Sequence, residues 1–148
     1  MSALLNKENN NESVQKSIEQ TYEVFENWED SKLDLKENLL RGLYSYGFSK
    51  PSPIQQKSII SIIKGKDIIA QAQSGTGKTG AFSVGALQSI DENSKTLQVL
   101  LLSPTRELAL QSYNVIDNLS KKMNINKILL IGGTSIDSDI HNINNTSP

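Results

Sequence analysis

Apolar residues recur at helical spacing in two early segments of the chain. The first stripe lies between Asp34, a candidate N-cap, and Gly47, which is suited to end a helix. The second begins at Ser52, where Gln55 three positions later completes a capping-box pattern, and it ends before Gly65. The pattern therefore predicts two amphipathic helices in this region.

Three short apolar runs follow, at residues 67–72, 97–102 and 127–131. Their length and β-branched content favour buried strands. Helical patterns separate them, one reaching about Ile90 and one over residues 105–121. Continuous apolar strands alternating with helices are typical of a parallel sheet covered on both faces, so we expect an α/β domain with a parallel sheet flanked by helices.

The two ends of the chain are more polar than its middle. Residues 1–21 are rich in Asn, Glu, Ser and Lys, which predicts a disordered polar tail, and residues 141–148 form a second Asn-rich stretch. We therefore assign one domain to residues 22–148. The 148-residue chain has a formal net charge of −1 and no cysteine, which excludes disulfides and thiolate metal sites and gives no global attraction to polyanions.

No apolar run approaches the roughly 20 residues that a membrane-spanning helix needs, and no secretory signal pattern begins the chain. We therefore expect no membrane partner and a cytoplasmic location, with the nucleus as the alternative. His141 stands apart from other ligand-type residues, so we expect it to be solvated. Asp137 and Asp139 alternate in a polar stretch and indicate a solvated face rather than a metal site.

A glycine-rich turn follows the first predicted strand and opens a helix: Ala72, Gln73, Ser74, Gly75, Thr76, Gly77, Lys78 and Thr79. Apart from Ala72 in place of the first glycine, it fits the phosphate-binding pattern G-x-x-x-x-G-K-[ST]. Gly75 and Gly77 permit backbone angles and a close approach that a side chain would block. Lys78 provides charge for the outer phosphates and their transition state, and the Thr79 hydroxyl suits Mg²⁺. We predict a nucleotide phosphate site; a plain turn with a solvated lysine is the alternative.

Three further stretches accompany this turn, namely GFSKPSPIQ (47–55), PTRELA (104–109) and Gly132-Gly133. In this order the set resembles the DEAD-box family of ATP-dependent RNA helicases over residues 25–148. LLRGLYSYGFSKPSPIQQ (39–56) brings it nearest to the branch of eukaryotic initiation factor 4A. The resemblance implies a RecA-like P-loop fold, a Q motif at about 28–56, ATP and Mg²⁺ as cofactors, and RNA-stimulated ATP hydrolysis. It also implies a role in translation initiation, with a scaffold protein of that process as a partner.

The resemblance assigns the adenine edge to Gln55, whose carboxamide offers one donor and one acceptor. Capping its own helix is the alternative role. Phe48 either walls the base pocket or packs in the core. Trp28 is the candidate for an upstream aromatic that contacts the base, although its distance from Gly47 is two residues longer than the interval usual in the family. Phe25 is the alternative, and either ring could instead anchor the tail.

The resemblance also assigns contacts with RNA phosphates to Pro104, Thr105 and Arg106, at a helix start just past a predicted strand end. Gly132 and Gly133 would let backbone N–H groups approach the same sugar-phosphate chain. An arginine paired with a nearby carboxylate and an ordinary strand-end turn are the alternatives. Contacts with the RNA backbone alone predict binding that is independent of sequence.

Several motifs of the family are missing from the sequence: D-E-A-D, T-P-G-R, S-A-T and the second RecA-like domain. The D-E-A-D carboxylates hold Mg²⁺ and orient the attacking water in the family. We therefore expect a chain truncated within the first RecA-like domain, as a fragment or a natural short form, that binds ATP weakly without hydrolysing it. The alternatives are a non-catalytic ATP- and RNA-binding decoy and another P-loop NTPase such as a GTPase, although no N-K-x-D signature is present.

Overall fold

A computed structural model describes residues 23–146, which form five helices. These are α1 (Glu37–Tyr46), α2 (Pro53–Ile63), α3 (Lys78–Ser89), α4 (Arg106–Leu119) and α5 (Ile136–Thr146). None of these helices is long and apolar enough to cross a membrane. The tail predicted at 1–21 lies outside the described residues.

Helix α1 ends where the sequence predicts but begins later. Gly47 has a left-handed φ of 95°, and its N–H bonds back to the carbonyl of Tyr44. The N-cap is Lys36, whereas Asp34 has a φ of 43° and its carbonyl accepts a hydrogen bond from Gln88 Nε2 at 2.8 Å. The predicted cap at Asp34 is therefore wrong, because the chain turns there before the helix starts.

Helices α2 and α4 begin as predicted. Ser52 is the N-cap of α2 and Pro53 its first residue, and the Ser52 N–H donates to Gln55 Oε1 at 2.8 Å. At α4 the Thr105 hydroxyl oxygen accepts a hydrogen bond from the Leu108 N–H at 3.3 Å. Both helix starts are thus determined by residues within one turn of each other.

Helix α3 lies at the centre of the packing, in contact with α1, α2 and α4, and α1 also packs on α4. The buried core combines side chains from the N-terminal segment and these four helices with Met123 beyond α4. It comprises Phe25, Trp28, Leu33, Leu39, Leu43, Ile59, Ile60, Ala81, Val84, Leu87, Val115, Leu119 and Met123. The segment before α1 is therefore part of the domain.

Two helix contacts are close enough to require glycine. A Cβ atom at Gly42 of α1 would lie 1.9 Å from the carbonyl oxygen of Leu119 at the end of α4. A Cβ atom at Gly85 of α3 would lie 2.6 Å from the Ile62 side chain of α2. The absence of a side chain at these two positions sets the distance between the helices.

Residues 23–146 contain no strand, so the parallel sheet stays a prediction. The three apolar runs at 67–72, 97–102 and 127–131 are irregular, and no backbone hydrogen bond joins them to one another. Side chains expected in a sheet core are exposed, Ile69 at 102% and Leu102 at 86%. An apolar run favours burial, but it becomes a strand of a sheet only when a second strand bonds to its backbone N–H and C=O groups.

Helix α5 is a feature that the sequence reading missed. It replaces most of the polar stretch expected at 141–148, and its Ile136, Ile140 and Ile143 lie on one side at helical spacing. The Thr134 hydroxyl donates to Asp139 Oδ2 at 2.8 Å near the helix start. The helical spacing of these three isoleucines was the signal from which α5 could have been predicted. The Asn-rich composition of the segment concealed it.

Replacing Gly42 with Ala should destabilise the domain by about 1–3 kcal/mol, because the methyl group would force α1 away from α4. Urea unfolding followed by circular dichroism measures the change. Ser45→Ala, at an exposed position of the same helix, is the matched control and should stay within about 0.5 kcal/mol of the parent. Equal stability of the two variants would contradict the close contact.

Candidate functional site

The glycine-rich turn has the backbone geometry that its sequence predicts. Gly75 and Gly77 have left-handed φ values of 78° and 96°. From Ser74 to Gly80, no backbone N–H donates a hydrogen bond to any other described residue. These donors lie at the start of α3, where the helix dipole favours negative charge. The turn therefore has the donor set that an anion such as a phosphate requires.

Lys78 lies over this turn and is held there by the chain's own carbonyl groups. Its Nζ donates to the carbonyl oxygens of Ala72 at 2.5 Å and Gln73 at 2.6 Å. The Thr76 hydroxyl donates to the same Gln73 carbonyl at 2.8 Å, and the half-buried Thr79 hydroxyl bonds no described residue. An anion in the turn can replace the carbonyls as the partner of the ammonium group, because charged hydrogen bonds are the stronger ones.

Gln55 connects the start of α2 to the turn. Its side chain is only 4% exposed, and its Oε1 accepts the Ser52 N–H while its Nε2 donates to the Gly77 carbonyl at 3.2 Å. A Cβ atom at Gly77 would lie 2.9 Å from that Nε2. The capping role is thus present in the structure, and adenine recognition by Gln55 stays a prediction. The bond to Gly77 was missed, since no local pattern relates the two residues.

Trp28 and Phe48 form an aromatic stack beside the first turn of α3. Trp28 is 1% exposed, and its ring lies 6.4 Å from that of Phe48 at an interplanar angle of 15°. The Phe25 ring lies 5.8 Å from Trp28 on another side. The Phe48 ring reaches within 3.0 Å of where a Cβ atom would stand at Gly80. Both candidate upstream aromatics are therefore packed in the core, and base contacts by Trp28 and Phe48 stay predictions.

The structure brings Arg106 and the glycine pair together although 26 residues separate Arg106 from Gly132. Arg106 NH1 donates to the Gly132 carbonyl at 3.3 Å, and a Cβ atom at Gly133 would lie 3.2 Å from the same nitrogen. Pro104, Thr105 and Arg106 are exposed, and no carboxylate of residues 23–146 pairs with Arg106. The arrangement is an exposed cation at a helix start beside a glycine turn, which suits a phosphodiester.

The remaining candidates carry no metal site in the part of the chain that the structure describes. His141 is exposed and its Nε2 lies 2.8 Å from Asn145 Nδ2. Between residues 23 and 146, no three His, Asp or Glu side chains are grouped closely enough to bind a metal ion. At the turn, the Thr79 hydroxyl is an oxygen ligand of the type that Mg²⁺ accepts.

Comparisons with known proteins agree with the motifs. The family described as DEAD/DEAH box helicase matches residues 52–148. The ATP-dependent RNA helicase FAL1 of Eremothecium gossypii is 55% identical over 112 residues, which cover 76% of this chain and 28% of the relative. The ATP-dependent RNA helicase eIF4A of Kluyveromyces lactis is 54% identical over 123 residues, 82% of this chain and 31% of the relative. This chain thus spans less than a third of either relative.

The folded structure is similar to solved helicase structures as well. The RNA-helicase Prp28 from Chaetomium thermophilum, bound to ADP, matches with a TM-score of 0.72 and 29% identity. The match covers 84% of this chain and 31% of that one. A DEAD box protein from the hyperthermophile Methanococcus jannaschii matches with a TM-score of 0.68 and 33% identity, over 80% of this chain and 32% of that one.

Replacing Gln55 with Ala should lower the free energy of unfolding by about 1–3 kcal/mol, because it removes the partners of a buried N–H and a carbonyl. The neighbouring Gln56, whose side chain bonds no described residue, supplies the matched control. Gln56→Ala should change stability by less than about 0.5 kcal/mol. Chemical denaturation of the two variants measures the difference, and indistinguishable midpoints would contradict the bridging role.

Proposed function

We propose that this chain, which belongs to the DEAD/DEAH box helicase family, binds ATP through residues 72–79 and RNA through the surface around Arg106. In this proposal it forms the nucleotide-binding part of an ATP-dependent RNA helicase. The match to residues 52–148 confirms the family inferred from the motifs. The observation that carries the proposal is the row of free N–H donors from Ser74 to Gly80, beside the Lys78 ammonium group.

ATP would bind with its phosphates against these donors. Lys78 would exchange the carbonyls of Ala72 and Gln73 for phosphate oxygens and stabilise the charge on the outer phosphates. Thr79 would hold Mg²⁺, which neutralises phosphate charge when bound. We place the adenine near Gln55 and Phe48, with Trp28 beneath Phe48, because this buried cluster adjoins the start of α3. The similar Prp28 structure is bound to ADP, which supports an adenine nucleotide as the ligand of this chain.

RNA would bind on the exposed surface formed by Pro104, Thr105, Arg106, Gly132 and Gly133. The Arg106 guanidinium has one weak bond to a carbonyl and is therefore available to a phosphate. The helix start at Thr105 and the glycine turn offer backbone donors beside it. Such contacts reach the sugar-phosphate chain, so the binding should not depend on base sequence.

In this proposal the 148-residue chain binds ATP without appreciable hydrolysis. Its sequence has no D-E-A-D segment to hold Mg²⁺ from the far side and orient water. As a free polypeptide it would act as a non-catalytic ATP- and RNA-binding unit. The irregular apolar runs at 67–72, 97–102 and 127–131 would pair as the parallel sheet of the RecA-like fold, which their composition favours.

We further propose a role in translation initiation, in the cytoplasm, together with a scaffold protein of that process. The support is the identity with relatives named eIF4A, 54% for the Kluyveromyces lactis protein. Relatives named FAL1 are similar to the same degree, 55% for the Eremothecium gossypii protein. Complementation of yeast strains that lack either relative, with the chain grafted into the corresponding full-length helicase, would separate the two assignments.

Purified chain should bind ATP more tightly than GTP, and Lys78→Ala should weaken ATP binding at least about tenfold, the effect of losing a charged hydrogen bond. Isothermal titration calorimetry with Mg²⁺ measures the affinity. Lys122→Ala removes an exposed lysine that bonds no described residue and should leave binding unchanged. Equal affinity for both nucleotides, or RNA-stimulated phosphate release, would contradict this part of the proposal.

Arg106→Ala should weaken single-stranded RNA binding to the same extent for poly(U) and poly(A), because it removes a phosphate contact. The slope of log K against log salt concentration should fall by about 0.7. Fluorescence anisotropy at several salt concentrations measures both effects. Arg41→Ala serves as the control, since Arg41 pairs with Glu37 on α1. A loss confined to one RNA sequence would argue against backbone binding.

A further inference from the structure

Lys36 occupies the N-cap of α1, but its side chain serves a different helix. Its Nζ donates to the carbonyl oxygen of Leu87 at 3.3 Å and to that of Ile90. Both carbonyls belong to the end of α3, where Ile90 is the C-cap. A cation is unfavourable at a helix N-terminus and favourable at a C-terminus. The charge of Lys36 therefore stabilises the far end of the helix that begins at the phosphate-binding turn.

Gln88 strengthens the same connection with both ends of its amide. Its Oε1 accepts the Lys36 N–H at 2.9 Å, and its Nε2 donates to the Asp34 carbonyl at 2.8 Å. We call this set of bonds, between residues 34–36 and residues 87–90, the clasp. Asp34 has a left-handed φ of 43° within it, a conformation that is uncommon for a non-glycine residue, and the bond from Gln88 holds its carbonyl in place.

The segment held by the clasp also reaches the opposite end of α3. Trp28 stacks on Phe48, and the Phe48 ring packs where Gly80 leaves room in the first turn of the helix. Next to Trp28 in the sequence, Glu29 Oε1 accepts a hydrogen bond from the Tyr44 hydroxyl of α1 at 3.1 Å. Residues 25–36 thus form a strap that reaches the first turn of α3 through Phe48 and contacts the end of α3 directly at the clasp.

We propose that Lys36 is a positioning residue for the phosphate-binding turn. The clasp holds the strap in place, and Trp28 of the strap packs Phe48 against the start of α3. Occupancy of the turn is thereby coupled to the packing of Trp28. Such coupling passes through side chains in contact. The inference rests on the proposed binding of ATP at residues 72–79 and adds a residue that contacts neither nucleotide nor turn.

Tryptophan fluorescence tests the proposal directly, because Trp28 is the only tryptophan in the 148 residues. Lys36→Met removes the ammonium group and keeps the apolar stem. It should weaken ATP binding roughly 3- to 10-fold and raise acrylamide quenching of Trp28. Lys36→Arg, which can donate to both carbonyls, should restore the ATP affinity and the acrylamide quenching of the parent chain. Lys57→Met, at an exposed position of α2, is the control and should match the parent chain in both measurements.

Gln88→Ala breaks the clasp from the other side and provides a second route should Lys36→Met fail to fold. It should change affinity and quenching in the same direction, and the double variant should lose less than the combined effects of the single ones. Unchanged ATP affinity in both variants would overturn the proposal, even with raised quenching, since Lys36 would then be only a structural anchor. If the parent chain binds no ATP, the proposed function is refuted instead. In that case, equal quenching of Trp28 in Lys36→Met and Lys57→Met would also refute the role of the clasp in the packing of Trp28.

Discussion

The hydrogen bonds of the Gln55 side chain hold the start of α2 and the glycine-rich turn of residues 72–79 in one arrangement. A buried carboxamide is costly unless donor and acceptor are both satisfied, and here the Ser52 N–H and the Gly77 carbonyl satisfy them. Glycines at 77 and 80 leave the space for this side chain. The cap of one helix and the entry of another are therefore positioned together, and the donors of the turn depend on that alignment.

The two ends of helix α3 carry different groups, each of which complements the helix dipole. Free N–H groups and Lys78 gather at its N-terminus, where the helix dipole favours an anion, while the Lys36 ammonium group neutralises the carbonyls at its C-terminus. Between these ends the helix packs against α1, α2 and α4. A nucleotide at one end would therefore act on a helix whose other end is already fixed to the N-terminal segment.

Both cations for which a phosphate partner is proposed donate hydrogen bonds to carbonyl oxygens. Lys78 bonds the carbonyls of Ala72 and Gln73, and Arg106 bonds that of Gly132. A carbonyl is a weaker partner than a phosphate oxygen, so such bonds orient the side chain without competing strongly. This common feature relates the proposed nucleotide site and the proposed RNA surface, which lie at the starts of α3 and α4.

The amino-acid sequence alone determined the family, the glycine-rich turn before α3 and most helix ends, because caps and glycine turns act between residues within one helical turn. Gly47 and Ser52 were predicted for that reason. At Asp34 the same reasoning failed, since Gln88 holds its carbonyl from 54 positions away. Only the tertiary structure decided the bond of Gln55 to Gly77, the burial of Trp28 and the attachment of Lys36 to α3. These contacts join residues that are distant in sequence, so they exist only once the helices have packed and no local pattern encodes them.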